Sequence, residues 1–199
     1  MDVDLLSRYF LAIYFLVIGV HYTSVALGRA QRTGGSAIHA GQVCSKPWYV
    51  RQTFNIFRSA ILLLCLLRLV YPIDIYLGRF EEFYVLPVIA VGILLMLVSL
   101  GIVSYVHAYM GNEWRSGIHY KATQLLTGGP YARSRNPMFM GIIVGQLGFF
   151  FALPSLFTLL CLVAGASAIV LQAKNEEAAL RQLYGASYES YFRQVKRWI

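Results

Sequence analysis

Long stretches without formal charge divide the chain into hydrophobic segments separated by polar loops. The first stretch, residues 9–28, has 20 residues, which suffice for one helix across a hydrocarbon core of about 30 Å. A later hydrophobic segment carries Arg58 and Arg68 near its ends, where long side chains can extend to the membrane surface. The pattern predicts three transmembrane helices in the first half of the chain, at 5–27, 52–73 and 83–109.

The last charge-free stretch, residues 136–173, is too long for a single transmembrane helix. Its 38 residues would form a helix of about 57 Å, nearly twice the thickness of the hydrocarbon core. Pro154 lies near the middle, and proline breaks a helix interior. We therefore interpret Leu153, Pro154 and Ser155 as a tight turn, which predicts a hairpin of two short helices, at 137–152 and 155–175, and five spans in all.

The composition agrees with an all-α integral membrane protein. The chain is 58% hydrophobic and 13% charged, whereas soluble domains have about 25% charged residues. An aromatic content of 15% excludes a disordered chain, and three distant cysteines do not indicate a disulfide scaffold. We interpret residues 1–199 as a single membrane domain and expect neither a nucleic-acid partner nor a metal ion.

The net charge of +8 indicates an orientation in the membrane. Lysine and arginine are abundant in alternate loops, so the positive-inside rule predicts an external N-terminus and a cytoplasmic C-terminus. The start of the first span carries Asp2 and Asp4 rather than basic residues, so we do not expect a cleaved signal peptide. A bacterial inner membrane is favoured over the endoplasmic reticulum. The basic segments are 28–53, which we expect to be the least structured, 110–136 and the C-terminal tail.

Two polar features meet at the cytoplasmic mouth of the predicted hairpin. Asn136 is a favoured N-cap and Pro137 a favoured first helical residue, so this helix start offers free N–H groups to an anion. Glu176 and Glu177 end the last span, where the helix dipole does not favour acids. A carboxylate opposite a helix start suits a zwitterionic, amino-acid-like ligand. A solvated charge pair, with Arg181 bonded to Glu177, stays open as the alternative.

Two further patterns surround this mouth. Beyond Glu177, apolar residues recur at helical spacing, with Gly185 able to end one helix and Ser187 able to cap the next. This predicts a cytoplasmic amphipathic helix whose tyrosine and tryptophan side chains lie among lipid headgroups. Upstream, Gly128 and Gly129 predict a turn that allows close backbone approach to a ligand.

Two motifs together resemble the isoprenylcysteine carboxyl methyltransferase and phospholipid methyltransferase family. Residues 125–141, LLTGGPYARSRNPMFMG, are similar to its leucine-rich segment followed by Gly-Pro-Tyr, Arg-His-Pro, an aromatic residue and glycine. The tail is similar to the family's C-terminal pattern, and residues 110–117 resemble a segment of its bacterial members. The resemblance covers roughly residues 95–199, the catalytic half, and is only compatible with the spans of 1–94. The tail residues concerned are Glu176, Glu177, Leu180, Tyr184, Gly185, Tyr188, Tyr191, Val195 and Arg197.

The resemblance implies a methyltransferase that binds S-adenosylmethionine at this mouth and methylates a lipidic acceptor among the membrane lipids. Glu176 would orient the cofactor or the nucleophile, or act as a base. Gln172 and Arg58 are candidates for polar contacts with the substrate. The implied cofactor-binding residues are His119, Thr123, Gln124, Leu125, Leu126, Tyr131, Asn136, Pro137, Met138, Phe139 and Glu176.

Three positions depart from the family pattern. Asn136 replaces a histidine and cannot titrate, and Phe139 replaces a tyrosine. Gln172 replaces an arginine that engages the substrate carboxylate in the isoprenylcysteine enzymes, which disfavours a prenylcysteine substrate here. The acceptor stays open among isoprenoid or fatty-acyl thiols and carboxylates, phospholipid amines and small hydrophobic metabolites. A non-catalytic ligand-binding protein of the same fold and an NADPH-dependent membrane reductase are the alternatives.

Overall fold

The computed structural model describes residues 2–33, 43–44, 46–113 and 125–199. These residues form six α-helices and no β-strand, with short 3₁₀ turns in the loops. The helices are α1 (Val3–Thr33), α2 (Lys46–Val70), α3 (Leu86–Met110), α4 (Pro137–Ala152), α5 (Leu156–Tyr184) and α6 (Ala186–Gln194).

Four of the helices, α1, α2, α3 and α5, are long and apolar enough to cross a membrane. The fifth predicted span corresponds to α4, which begins and ends at the predicted residues but has only 16 residues. Three residues, 153–155, separate α4 from α5, and the two helices pack against each other. Ser155 caps α5 by accepting a hydrogen bond from the Thr158 N–H at 3.2 Å.

The first loop is shorter than the sequence predicts. Residues 28–53 were expected to be the least structured stretch, but α1 continues to Thr33 and α2 begins at Lys46. Helix α5 is longer than predicted, because it extends through Glu176 and Glu177 to Tyr184. The two glutamates therefore do not mark the end of the helix.

The closest helix pair is α3 with α4, and glycines allow this approach. A Cβ atom added to Gly148 would lie 2.8 Å from the backbone oxygen of Gly92 and 2.8 Å from Cγ of Met96. A Cβ added to Gly92 would overlap the backbone of Ala152. Small residues of this kind let membrane helices pack through backbone contact. Helix α4, which starts at the candidate site, is therefore held firmly against α3.

The hydrophobic core and an ionic cluster lie near the C-terminal end of α4. Ser7 Oγ donates to the Ala152 backbone oxygen at 2.8 Å, and Phe80 N–H donates to the Pro154 oxygen at 2.9 Å. The turn between α4 and α5 is thereby bonded to α1 and to the loop before α3. The buried core residues in this region include Leu11, Tyr14, Met96, Phe149 and Leu153.

The ionic cluster corrects one prediction about α2. Arg68 was expected to extend to the membrane surface, but it is fully buried. Its Nε lies 2.5 Å from Oδ1 of Asp74, which is itself 5% exposed. Oδ2 of Asp74 also accepts a hydrogen bond from Nη2 of Arg8 at 2.7 Å. We call Arg8, Arg68 and Asp74 the Asp74 cluster.

The end of the chain also differs from its prediction. Gly185 does end α5, with φ of 52°, but Gly185 is also the N-cap of α6, and Ser187 lies inside that helix. Tyr188 is 0% exposed and Tyr191 is 7% exposed, so neither lies among lipid headgroups. Helix α6 is therefore packed against the protein on its aromatic face, next to the start of α4.

Candidate functional site

The helix start at Asn136 has the predicted position but a different contact. Asn136 is the N-cap residue of α4, with Pro137 at the first helical position, yet its side chain makes no capping hydrogen bond. Its Nδ2 instead donates to Oε1 of Glu177 at 3.2 Å. The Asn136 N–H is satisfied by Oγ of Ser134 at 3.1 Å. The Asn136 side chain thus joins the start of α4 to α5.

Glu177 is the centre of a buried ionic cluster, which we call the Glu177 clamp and which consists of Arg135, Asn136, Glu177 and Arg197. Glu177 is 2% exposed. Its Oε1 lies 3.3 Å from Nη2 of Arg135 and accepts a hydrogen bond from Nε of Arg197 at 3.0 Å. Its Oε2 accepts from Nη2 of Arg197 at 2.7 Å. Two guanidinium groups and one amide therefore share a single carboxylate.

Arg135 also bonds to the C-terminal tail. Its Nη1 donates to the backbone oxygens of Phe192 at 2.9 Å and Val195 at 2.5 Å. Its guanidinium lies 3.9 Å from the centre of the Phe192 ring, which adds a cation–π contact. Ser134 Oγ donates to the Arg197 oxygen at 2.8 Å. The start of α4 and the tail after α6 are therefore one structural unit.

The sequence alternative of an ion pair between Arg181 and Glu177 is wrong. Nε of Arg181 lies 2.7 Å from Oε1 of Glu189, on the exposed side of α6. Glu177 points away from this pair and into the clamp. Glu177 is therefore not part of a solvated charge pair.

Glu176 has very different surroundings from its neighbour. It is half-buried, and its Oε1 accepts one hydrogen bond, from Nε2 of Gln172 at 2.9 Å. No cationic side chain pairs with Glu176 among the residues whose side chains the structure describes. A carboxylate that is partly removed from water and lacks a counter-charge in the described protein is able to bind a cation.

The Glu176 carboxylate affects the ionisation of Tyr131. Burial raises the pKa of the Tyr131 phenol far above its usual range, and the nearby Glu176 carboxylate raises it further. The phenol is therefore neutral, and its O–H donates to Sδ of Met110 at 3.1 Å. The Tyr131 backbone oxygen accepts a hydrogen bond from the Tyr191 O–H at 2.7 Å. Tyr131 thus connects α3, α6 and the Glu176 side of α5.

The glycines of this turn contact protein and leave no gap for a ligand. Gly129 has φ of 55°, and a Cβ atom there would overlap the Tyr109 ring. A Cβ at Gly128 would lie 2.9 Å from the Tyr109 hydroxyl. The predicted close backbone approach does exist at this doublet, but its occupant is the side chain of Tyr109.

Met138 and Arg58 lie on the other side of the start of α4. Met138 packs with Tyr22, Met110 and other apolar side chains around the buried Ala26. The Arg58 guanidinium lies 5.2 Å from the centre of the Tyr22 ring. Arg58 is exposed on α2 and contacts this cluster at the Tyr22 ring.

The remaining predicted site residues divide into two groups. Pro137 is buried at the start of α4, whereas Leu125, Leu126 and Phe139 are partly buried. His119, Thr123 and Gln124 lie outside the described residues. The structure therefore brings together Gln172 with Glu176 and Tyr131 with Glu176, while Asn136 belongs to the clamp.

Sequence reasoning missed the roles of Arg135 and Arg197. Both residues stand in the two motifs, but neither was assigned a partner. The available signal was that two adjacent acids require cations, and that both motifs contain arginines: Arg133 and Arg135 in the first, and Arg197 in the second. The four clamp residues join α5 at Glu177 to the start of α4 and to the tail. The carboxylate of Glu176 is not part of these contacts.

The two glutamates thus perform opposite chemical tasks. Glu177 is neutralised inside the protein and joins α4, α5 and the tail. Glu176, one residue before Glu177 and about 100° around the helix, has a carboxylate without a described counter-charge. This arrangement can bind and orient a cationic group at the mouth formed by Tyr131, Gln172 and Glu176.

The comparisons with known proteins concern the half of the chain that contains this site. A family model described as phospholipid methyltransferase matches residues 87–187, from the start of α3 to α6. No curated protein and no solved structure matches the chain.

Proposed function

Since the chain belongs to the phospholipid methyltransferase family, we propose that it transfers a methyl group from S-adenosylmethionine to a lipidic or hydrophobic acceptor at the cytoplasmic membrane face. The family is one of methyltransferases, and the four long apolar helices make this chain a membrane protein. The identity of the donor, the acceptor and the site residues is the part that we propose.

The Glu176 carboxylate is the feature that supports this proposal most directly. S-adenosylmethionine supplies an activated methyl group on a cationic sulfur and also carries an ammonium group. Glu176 has one hydrogen bond and no described counter-charge, so it is suited to hold a cationic group of the donor. Its acceptor oxygens would fix the orientation of that group.

Other residues would complete the donor site. Tyr131, whose phenol is neutral because burial and the Glu176 carboxylate raise its pKa, would contribute aromatic surface to the donor site. Leu125, Leu126, Met138 and Phe139 would provide apolar contacts that exclude water from the reacting centre, and His119, Thr123 and Gln124 are further proposed donor-binding residues. Asn136 and Pro137 would contribute by placing the start of α4, since Asn136 bonds to the clamp.

The acceptor would approach from the membrane between the helices. Gln172 lies one turn before Glu176 and would offer a polar contact to the acceptor beside the donor. Arg58 would contribute through Tyr22, the residue over which it lies. The neutral amide of Gln172 favours acceptors other than a carboxylate, in agreement with the departure from the isoprenylcysteine pattern.

A five-span topology is part of the same proposal. Helix α4 has 16 residues, or about 24 Å, and would cross a slightly thinned membrane as one arm of a hairpin with α5. The N-terminus would then be external and the C-terminus cytoplasmic, as in a bacterial inner membrane. The Glu177 clamp would lie at the cytoplasmic end of α4, and residues 1–94 and 95–199 would form one membrane domain.

A transfer assay tests the proposal. The purified protein would be reconstituted in phosphatidylcholine vesicles with S-adenosylmethionine carrying a tritiated methyl group. Parallel samples would contain phosphatidylethanolamine, S-farnesyl-N-acetylcysteine or a total lipid extract. We expect label in an organic-soluble product in at least one sample, and a higher unfolding temperature with S-adenosylmethionine but not with NADPH.

Two results would contradict the proposal. Stabilisation by NADPH without any transfer of label would indicate the reductase alternative. Binding of S-adenosylmethionine without transfer to any lipid would indicate a ligand-binding protein of the same fold. A Glu189→Gln variant serves as control, because that acid lies on the exposed side of α6 and should retain full transfer.

A further inference from the structure

A cavity of about 470 Å³ lies at the opposite end of the bundle from Glu176. Its walls come from the start of α1, the loop after α2 and the loop before α3, and Asp74 is one of the residues that line it. Helix α5 begins at this end, at Leu156, and rises about 30 Å before it reaches Glu176. A ligand headgroup bound in this cavity is therefore too distant to take part in chemistry at the candidate site.

Three candidate membrane-spanning helices begin or end around the cavity. Helix α1 begins at Val3, α2 ends at Val70 and α3 begins at Leu86. Ile75 lines the cavity and is 75% exposed, and the adjacent Tyr76 is 82% exposed. Tyrosine is enriched at the boundary between membrane and water. The cavity therefore opens at the level of the lipid headgroups, with an exposed apolar side chain in its wall for an acyl chain.

Arg79 brings unused hydrogen-bond donors to this cavity. Its Nε donates to Oε1 of the exposed Glu81 at 2.8 Å. Its Nη1 lies 3.6 Å from Oδ1 of Asp4 and 3.9 Å from Oδ2 of Asp74, which is too far for a hydrogen bond to either carboxylate. Within the part of the chain that the structure describes, neither Nη atom of Arg79 donates a hydrogen bond. The two Nη groups can therefore bind an acceptor with several oxygens, such as a phosphate.

The position of Arg79 is fixed by its neighbours. The residues before and after it bond through their backbones to Leu156 and Pro154, each at 2.9 Å. The guanidinium lies 4.3 Å from the centre of the Tyr84 ring, which is a cation–π contact. The Tyr84 hydroxyl in turn donates to Oδ1 of Asp4 at 3.0 Å. The donors of Arg79 are thus held in place before a ligand binds, which lowers the cost of binding.

Asp2 contributes the opposite charge to the same cavity. It is exposed, and its Oδ1 accepts a hydrogen bond from the Asp4 N–H at 2.9 Å. No cationic side chain of the described residues pairs with Asp2, whereas Asp4 and Asp74 each pair with Arg8 at 2.7 Å. The cavity therefore offers one guanidinium and one carboxylate that the protein itself does not use.

The balance of charge around the cavity favours a ligand that carries both signs. The charged side chains in the wall or directly behind it are Arg8, Arg68, Arg79, Asp2, Asp4, Asp74 and Glu81. Because the acids are at least as numerous as the arginines, a purely anionic ligand gains no net attraction from this set. A zwitterion can instead pair with Arg79 and Asp2 at the same time.

We propose that this cavity binds the headgroup of a zwitterionic membrane phospholipid, with the phosphate at Arg79 and the ammonium at Asp2. The bound lipid joins the start of α1 to the loop before α3 and, through the backbone contacts of that loop, to the hairpin of α4 and α5. It stabilises the bundle because it binds the folded protein and not the unfolded chain. This inference goes beyond the proposed methyl transfer and does not depend on it.

A titration of the whole protein in detergent, without S-adenosylmethionine, tests this proposal. The probe is dihexanoyl phosphatidylcholine, whose fully methylated ammonium cannot accept a further methyl group. We expect it to raise the unfolding temperature to a saturating value, and dihexanoyl phosphatidylglycerol to raise it less at equal concentration. Equal stabilisation by phosphatidylglycerol would contradict a zwitterionic ligand. Equal stabilisation by inorganic phosphate alone would contradict a lipid.

Two variants remove the two charges separately. In Arg79→Gln, we expect the half-saturating concentration of phosphatidylcholine to rise about tenfold or more, because charge-assisted hydrogen bonds to the phosphate are lost. Asp2→Asn keeps an oxygen for the Asp4 N–H and loses only the charge, so it should fold normally and no longer prefer phosphatidylcholine over phosphatidylglycerol. An unchanged preference in Asp2→Asn would overturn the proposal, as would an unchanged half-saturating concentration in Arg79→Gln.

Two further variants control for other binding places on the protein. Arg193→Gln removes an exposed arginine of α6, and Glu176→Gln changes the candidate site. Both should respond to phosphatidylcholine like the wild type. If Glu176→Gln lost the response, the lipid would be bound at the candidate site and the assignment to this cavity would be wrong. Neither result bears on whether the protein transfers a methyl group, which the labelling assay tests separately.

Discussion

Replacing Glu177 by glutamine is expected to lower the free energy of unfolding by about 3–5 kcal/mol. The carboxylate is 2% exposed and is shared by Arg135 and Arg197, so the amide would leave two guanidinium groups without their counter-charge. Most of this loss of stability comes from Arg135, because its side chain is only 7% exposed and its charge would be buried without a partner. Denaturant unfolding in detergent measures the effect.

The neighbouring acid provides a matched control. Glu176→Gln makes the same chemical change one residue away, but Glu176 has only a hydrogen bond from Gln172 and no described ion pair. We expect this variant to unfold within about 1 kcal/mol of the wild type, because a neutral hydrogen bond between amides can replace the lost contact. Equal destabilisation by the two substitutions would contradict the division of roles between the glutamates.

Asp74→Asn is expected to have a similarly large effect near the other end of α4. Arg68 is 0% exposed and lies 2.5 Å from Asp74, and Arg8 bonds to the same carboxylate. Removing this charge leaves a fully buried guanidinium uncompensated, which costs about 3–5 kcal/mol. Thermal unfolding of the variant in the same detergent should show a clearly lower transition temperature.

An exposed acid in the same loop is the control for Asp74. Glu81 pairs with Arg79 at 2.8 Å, but its side chain is 69% exposed. Surface pairs of this kind contribute about 0–1 kcal/mol, so Glu81→Gln should hardly change the transition. An equally small effect of Asp74→Asn would contradict the buried ion pair. Arg68 would then extend to water at the membrane surface, as the sequence alone indicated.

The bounds of α4 could be predicted because the decisive signals are local. Asn136 followed by Pro137 marks a helix start, and Pro154 prevents one helix from continuing through the whole apolar stretch. The end of α5 could not be predicted in this way. Glu176 and Glu177 appeared to terminate the span, but the helix continues past them, and Glu177 is neutralised by Arg135 and Arg197 from other elements.

The partners of the buried charges could not be predicted from the sequence, because they belong to other elements of the fold. Arg68 has no acid within one helical turn, and its partner Asp74 lies after the end of α2. Asn136 has a strong local preference for capping, yet the tertiary contact with Glu177 prevails. His21 and His107 share a hydrogen bond but are separated by 86 positions, so only the packing of α1 against α3 pairs them.

One contact next to the candidate site could be predicted. The hairpin about Pro154 predicted that the start of α4 and the glutamates of α5 lie close together, and Asn136 bonds to Glu177. Which of the two glutamates forms the buried ion pairs depends on the helix face, because side chains of successive residues differ in direction by about 100°. The choice of Glu176 for the donor site remains a prediction, which agrees with the free carboxylate that the structure gives it.

Equilibrium binding of S-adenosylmethionine, measured by calorimetry on the purified protein in detergent, tests the central claim most directly. We expect the wild type to bind and Glu176→Gln to bind about tenfold or more weakly, since a hydrogen bond to a charged group is worth about 1.5–3 kcal/mol. The variant should unfold like the wild type, so the loss would reflect the lost contact. Equal affinity of the two proteins, or no binding by the wild type, would contradict the account.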